Sequence, residues 1–198
     1  FEETIIKTTD FSGFLQGKKD FQNHKSFLNG HWWVQDFSSF FPLLNLPTGY
    51  AKGTFLDACS APGGKSFQIL SKKIKIVCND INRNRIEILK SNLKRLKFNP
   101  PILNEDFTKL NNYKKYDFII IDSPCSAVGT VRRNPEILFR NEGPNISKLL
   151  KIQEEMLQKA SEILNNDGMI LYMVCSFLKS ETEDQINKFL NSKKNFKI

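Results

Sequence analysis

The sequence predicts an α/β fold with a doubly wound, mostly parallel sheet. Three observations predict it. From residue 54 onward, short apolar runs alternate with stretches whose apolar residues recur at helical spacing. The run Tyr116 to Asp122 is nearly continuous in apolar residues, as expected of a central parallel strand buried on both faces. Phe55 to Cys59 leads directly into Ala61-Pro62-Gly63-Gly64, and a helical pattern starts at Ser66. A strand, a glycine turn and a helix in that order aim backbone N–H groups beyond the strand's carboxyl end.

Taken in order, residues 1–31 read as a lead-in or the end of a preceding domain, punctuated by Gly13, Gly17 and Gly30 around Lys18-Lys19-Asp20. The chain opens mid-pattern without an initiator Met, so a piece of a longer protein is expected. Residues 32–198 form the main domain. Trp32 to Phe37 reads as an aromatic, strand-like entrance, and 38–44 as a helix that Pro47 and Gly49 close. Strand 54–59 precedes a helix over about 65–72. Lys75 to Asp80 is the second strand. The helix over 83–97 lines up Ile86, Leu89, Leu93 and Leu96, with Arg85, Lys90, Lys94, Arg95 and Lys97 elsewhere. Pro100 to Leu103 is a third strand weakened by prolines, and 116–122 is the fourth. A helix over 147–164 aligns Ile152, Met156, Ala160 and Ile163, and Asn165 to Gly168 ends it. Met169 to Cys175 is the fifth strand, 180–191 a helix, and 196–198 the start of a sixth strand.

A length of 198 residues suits one domain with its own core. No apolar run reaches the length of a membrane span, and no secretory signal pattern opens the chain. The four cysteines are far apart and never spaced as CxxC, which disfavours disulfides and zinc; no metal is expected, and an intracellular, reducing compartment is. His24 and His31 have no ligand partners nearby in sequence. A net charge of +8 favours a polyanionic partner such as RNA, with a solvated lysine surface as the plain alternative.

The glycine turn matches neither the dinucleotide fingerprint nor the P-loop. Acidic residues nevertheless stand at successive strand ends. Asp80 lies 23 residues after Asp57, a separation that suits a ribose diol. Asp106 follows the third strand, where it can take an adenine amino group, and Asp122 ends the fourth. Each alone is equally a helix cap; together they favour a cofactor bearing a nucleoside. Cys125, after strand four, and Cys175, after strand five, can share one cleft. Singly, each reads as a small buried core residue.

Four segments carry a resemblance. They are Cys59-Ser60-Ala61-Pro62-Gly63-Gly64-Lys65, Asp80 to Arg85, Asp122-Ser123-Pro124-Cys125-Ser126-Ala127-Val128-Gly129-Thr130, and Val174-Cys175-Ser176. Together they resemble the Sun-type family of RNA cytosine-5 methyltransferases. Arg132-Arg133-Asn134-Pro135-Glu136-Ile137 is similar to the branch acting on ribosomal RNA, as are Val34-Gln35-Asp36 and Ser38-Ser39. The resemblance covers about residues 32 to 190.

It implies a Rossmann-like, S-adenosylmethionine-dependent methyltransferase domain, cut before the last strand pair of its sheet and without the RNA-binding module that precedes it in relatives. Cys59, Ser60, Ala61, Pro62, Gly63, Gly64 and Lys65 would wrap the methionine end of S-adenosylmethionine. Asp80 would hold the ribose and Asp106 the adenine, with Arg85 a further contact. Asp122 would face both cofactor and target base. Cys175 would be the nucleophile towards C6 of the cytosine, and Cys125 would assist breakdown of the adduct. The expected partner is RNA, ribosomal in this branch, met by a monomer away from membranes. Val174 stands where the family has Thr, and Asn134 where that branch has His. Two other readings remain: a DNA cytosine-5 methyltransferase, whose nucleophile would be Cys125, and an S-adenosylmethionine-binding scaffold without catalysis.

Overall fold

The computed structural model describes residues 5–9, 12–15, 21–46, 53–111, 114–140 and 142–198. They fall into two compact units, Phe1–Trp33 and Val34–Ile198. In the first, β1 (Ile5–Thr9) pairs antiparallel with β2 (Ser12–Leu15), and a single turn, α1 (Lys25–Leu28), follows. Phe27 packs edge-on against Trp32 at 5.0 Å and against Phe21 at 5.3 Å. The Trp32 indole N–H donates to Ser26 Oγ. Gly17 and residues 18–20 lie outside the described residues, as do Pro47 and Gly49.

The aromatic strand expected from Trp32 is absent. Residues 32–36 form no strand, because Asp36 accepts the Ser38 N–H and caps α2 (Phe37–Leu44), so Phe37 is already helical. The sheet is made of β3 (Thr54–Asp57), β4 (Lys75–Asn79), β5 (Ile102–Leu103), β6 (Tyr116–Asp122) and β7 (Leu164–Met173). Its order is β5-β4-β3-β6-β7, and every pairing is parallel. The chain runs outward from β3 to β5, then crosses back to β6 on the other side of β3. The strand order therefore reverses between β3 and β6, which opens a crevice at their carboxyl ends.

Helices α3 (Gly64–Ser71), α4 (Arg83–Leu96), α5 (Ile146–Ile163) and α6 (Glu183–Ser192) make the crossovers and flanks. On one face Leu56, Val77, Ile119 and Ile121 pack with Met156, Leu157, Ala160 and Ile163 of α5. The alternate residues Phe55, Ile76, Cys78, Phe118 and Ile120 are also buried, and the Phe55 and Phe118 rings stack at 4.7 Å. Both faces are thus covered, as an unbroken apolar β6 requires.

Several boundaries differ from the sequence expectation. The prolines leave β5 only two residues, and Pro101 contributes its carbonyl to the Cys78 N–H. Residues 165–168 are no turn: β7 follows α5 at once, pairing Leu164 with Tyr116, and a register shift opposite Asp117 with Asp167 at φ 60 absorbs the irregularity. β7 ends at Met173, so Val174 and Cys175 lie in the loop beyond it. A 3-10 turn, Lys179–Glu181, precedes α6. Residues 196–198 form no strand; Phe196 instead packs on Phe189 at 5.0 Å.

Candidate active site

The crevice is built first by the turn after β3. Asp57 ends that strand, 1% exposed, and accepts the Ser66 hydroxyl at 2.7 Å. Burial pushes its carboxyl up to about 6, against the Ser66 hydrogen bond. Ser60 donates its N–H and its hydroxyl to the Asn79 carbonyl, which pins the turn to β4. Ala61 and Pro62 are joined by a cis peptide. Gly63 has φ +120, a conformation that excludes a side chain, and a Cβ there would also strike the Phe67 ring at 2.0 Å. Gly64 then starts α3.

The carboxylates at the strand ends have partners of their own. Asp80, buried, accepts the Ala61 N–H at 3.2 Å and the Asn82 N–H at 3.0 Å. The Arg85 guanidinium lies 3.4 Å from it and also donates to the Ala61 carbonyl. Asp106 caps the 3-10 turn Phe107–Lys109 by accepting from the Thr108 N–H and hydroxyl. Asp122 pairs with Lys65 at 2.7 Å, and Lys65 also donates to Ser39 Oγ at 2.6 Å. Lys65 is only 12% exposed, so it is no free helix-start cation.

The two cysteines meet. Cys125 Sγ and Cys175 Sγ are 3.2 Å apart. Main-chain bonds hold their loops side by side: Ser123 N–H donates to the Met173 carbonyl and Gly129 N–H to the Cys175 carbonyl, at 2.9 and 3.0 Å. The shared hydrogen bond lowers the Cys175 thiol to about 7, against partial burial and the negative charge of Asp122, with Arg133 assisting. The same bond and burial drive Cys125 upward. Cys175 is the more exposed of the two, so it takes the charge and Cys125 keeps the proton. Burial pushes Cys78 up to about 12 and raises Cys59 as well, so neither is a thiolate at neutral pH. Arg133 also pairs with Asp36 at 3.4 Å.

A family model described as 16S rRNA methyltransferase RsmB/F matches residues 47–198. The chain belongs to that family. Ribosomal RNA small subunit methyltransferase B of Shewanella oneidensis is 33% identical over 187 residues, which are 92% of this chain and 44% of that protein. Its counterpart in Proteus mirabilis is 36% identical over 142 residues, 69% of this chain and 34% of that protein. The chain thus spans less than half the length of these curated relatives. Among solved structures, NSun6 from Pyrococcus horikoshii with SFG superimposes with a TM-score of 0.76 at 24% identity, over 86% of this chain and 45% of that one. A methyltransferase homolog protein from the same organism gives 0.74 at 24%, over 90% and 57%. Both share the Rossmann-like methyltransferase fold.

The methyl donor of the RsmB/F class is S-adenosylmethionine, and the donor set at this edge fits it. Three carboxylates offer acceptors for hydroxyls, an exocyclic amine and a cation. Asp80 uses two N–H donors, and a carboxylate has about four acceptor sites. Ile81 beside it is 65% exposed, an apolar face for a purine. Among the described residues, no cluster of His, Cys, Asp or Glu is arranged to hold a metal ion, and no helix is long and apolar enough to cross a membrane.

Sequence reasoning assigned no role to three groups that shape this site. Ser39 completes the Lys65 pair. Gly129 lets its N–H approach the Cys175 carbonyl; a Cβ there would lie 3.0 Å from that oxygen. Glu181, fully buried, accepts hydrogen bonds from the cysteine loop, yet in the sequence it reads as one more acid at the start of a helix. Gly129 and Ser39 lie in segments that carry the family resemblance; nothing local marks Glu181.

Proposed function

We propose that the chain transfers a methyl group from S-adenosylmethionine to C5 of a cytosine in ribosomal RNA, through a covalent bond between Cys175 and C6. The observation that carries this reading is the sulfur pair at 3.2 Å, in which the more exposed Cys175 has its thiol lowered to about 7. That asymmetry favours Cys175 as nucleophile over Cys125, as expected for RNA rather than DNA cytosine methylation.

The chain's own groups have the following parts. Residues 59–65 hold the methionine end of the donor, Asp80 its ribose and Asp106 its adenine. Arg85, beside Asp80, is a further contact to the donor. When bound, the donor supplies an electrophilic methyl group to C5. The Cys175 thiolate adds to C6, and the electron pair of the C5–C6 double bond moves towards C5, which becomes nucleophilic. Asp122, with Lys65, makes the polar contact at the base edge that relieves charge on the ring. After methylation the C5 proton leaves to a base that Cys125 supplies or orients. The pair of electrons left behind re-forms the double bond and expels Cys175 as thiolate. The base must leave its stack to reach this crevice. Phe177, 70% exposed just past the nucleophile, offers a face to stack on, and Arg132 and Arg133 offer phosphate contacts. The chain works as a monomer in a reducing intracellular compartment.

RNA containing 5-fluorocytosine tests this. Fluorine cannot leave as a proton does, so the adduct is trapped and migrates as a shifted band. Cys175→Ala should abolish it. Cys125→Ala, tested on ordinary RNA, should let an adduct accumulate. The opposite pattern would assign nucleophile and helper the other way round.

A further inference from the structure

Glu181 contributes nothing to the surface and pairs with no lysine or arginine among the described residues. Its carboxylate is instead a hub. Oε1 accepts the Ser126 N–H at 2.9 Å and the Gln153 amide at 3.1 Å, and Oε2 accepts the Ser126 hydroxyl. Ser126 Oγ lies 3.1 Å from Ser176 Oγ, which accepts the Leu178 N–H. Gln153 on α5 also donates to the Pro124 carbonyl at 3.0 Å, and the Tyr172 hydroxyl donates to the Glu181 carbonyl at 2.9 Å. The neighbours joined in this way are therefore Pro124 and Ser126, either side of Cys125, and Ser176, next to Cys175.

An unpaired buried carboxylate is expensive to keep, so it persists where several donors converge on it. Burial acts to raise the Glu181 carboxyl, but the hydrogen bonds from Ser126, Ser176 and Gln153 outweigh it and hold it below the ordinary value. It stays charged at neutral pH.

We propose that Glu181 is a positioning residue for catalysis: its carboxylate clamps the Cys125 loop to the Cys175 loop and keeps the two sulfurs in hydrogen-bond register. Fifty residues separate the cysteines, and each lies beyond the end of its strand. The sheet alone fixes neither side chain. The Gly129–Cys175 bond sets the backbone distance, and Glu181 sets the orientation of the segment that carries Cys125. The proposal rests on Cys175 being the reactive thiol, but not on cytosine as the substrate.

The test reads thiol chemistry without RNA. Iodoacetamide labelling of Cys175 in the whole chain, followed by mass spectrometry across pH, gives its apparent titration. Glu181→Ala removes the clamp; Glu181→Gln keeps the shape should the alanine variant fail to fold. The clamp predicts that the labelling midpoint rises from about 7 towards the ordinary 9.0, and that the rate at pH 7 drops about threefold or more. S-adenosylmethionine affinity should stay within about twofold, because the glycine turn lies at another strand end. In a Cys125→Ala background the same substitutions should change the Cys175 rate less than about twofold, since the bond they protect is already gone. An unchanged midpoint in the single variants overturns the proposal. So does an undiminished effect in the Cys125→Ala background. If RNA labelled with 5-fluorocytosine forms no adduct while the midpoint shifts as stated, the clamp stands and the cytosine reading fails.

Discussion

Lys65 Nζ lies 2.7 Å from Asp122 Oδ2, tying the first turn of α3 to the end of β6 across the crevice. The two partners are unequally desolvated, at 12% and 38% exposure. Removing the carboxylate leaves a nearly buried ammonium with Ser39 as its remaining acceptor among the described residues. Removing the ammonium leaves a carboxylate that water can reach. Asp122→Ala should therefore destabilise more, by about 1–3 kcal/mol, than Lys65→Met at about 1 kcal/mol or less. Urea denaturation of both variants measures this, and the reverse order would mean that the carboxylate is the desolvated partner.

The sulfur pair makes a prediction about pH. The Cys125 hydrogen bond stabilises the thiolate of Cys175, so the fraction ionised rises through about pH 7 rather than near 9.0. In Cys125→Ala the titration should move back towards that ordinary value. Alkylation at pH 7 should slow by about five- to tenfold, because the loss of thiolate is partly offset by the greater nucleophilicity of a more basic one. Above pH 9 the variant should match or exceed the parent. Equal profiles would show that Arg133 rather than Cys125 sets the ionisation.

Asp57 gives a stability prediction with the opposite sign from a paired carboxylate. Its folded value, about 6, exceeds the ordinary aspartate value of 3.8, so the native state holds the proton more tightly than the unfolded chain. The stability penalty is absent below pH 3.8, grows as pH rises through that window, and is constant above 6. Asp57→Asn never ionises. Its advantage over the parent should be near zero at pH 4 and approach about 3 kcal/mol at pH 8. Denaturation midpoints at both pH values decide it, and a gain that does not vary with pH would mean that Asp57 is ionised in the fold without penalty.

The parts of this site that the sequence made legible are those encoded by consecutive residues. The glycine turn, the continuous apolar β6 and the acids at strand ends all carry local patterns, because strand period and turn chemistry act over a few residues. The entrance at 32–36 misled because aromatic residues favour strands, whereas Asp36 and Ser38 supply a cap that propensity ignores. The start of β7 was hidden by Asn165-Asn166-Asp167-Gly168, a turn by composition, because the pairing with β6 begins at Leu164 before it and resumes at Met169 after it. Glu181 could not be found locally. Its partners Ser126 and Gln153 lie 55 and 28 residues away, and only the packing of α5 against the cysteine loops brings them together.

Gly129 offers the sharpest separation of geometry from stability. Its N–H donates to the Cys175 carbonyl at 3.0 Å, and an added Cβ would approach that oxygen to 3.0 Å and the carbonyl carbon to 3.3 Å. Its backbone needs no left-handed conformation, so Gly129→Ala brings crowding without dihedral strain. Relief requires the Cys175 loop to retreat by a few tenths of an ångström. The overall loss of stability should be modest, about 1–2 kcal/mol, as for other small overpacking changes. Adduct formation is more sensitive, since a displacement of about 1 Å in a reacting group can slow a reaction about a hundredfold. A smaller retreat should slow trapping on 5-fluorocytosine RNA by about three- to tenfold while S-adenosylmethionine binding is unchanged. Parallel loss of binding and trapping would mean that the alanine disturbs the whole crevice, and the Gly129 contact would then have no special bearing on the nucleophile.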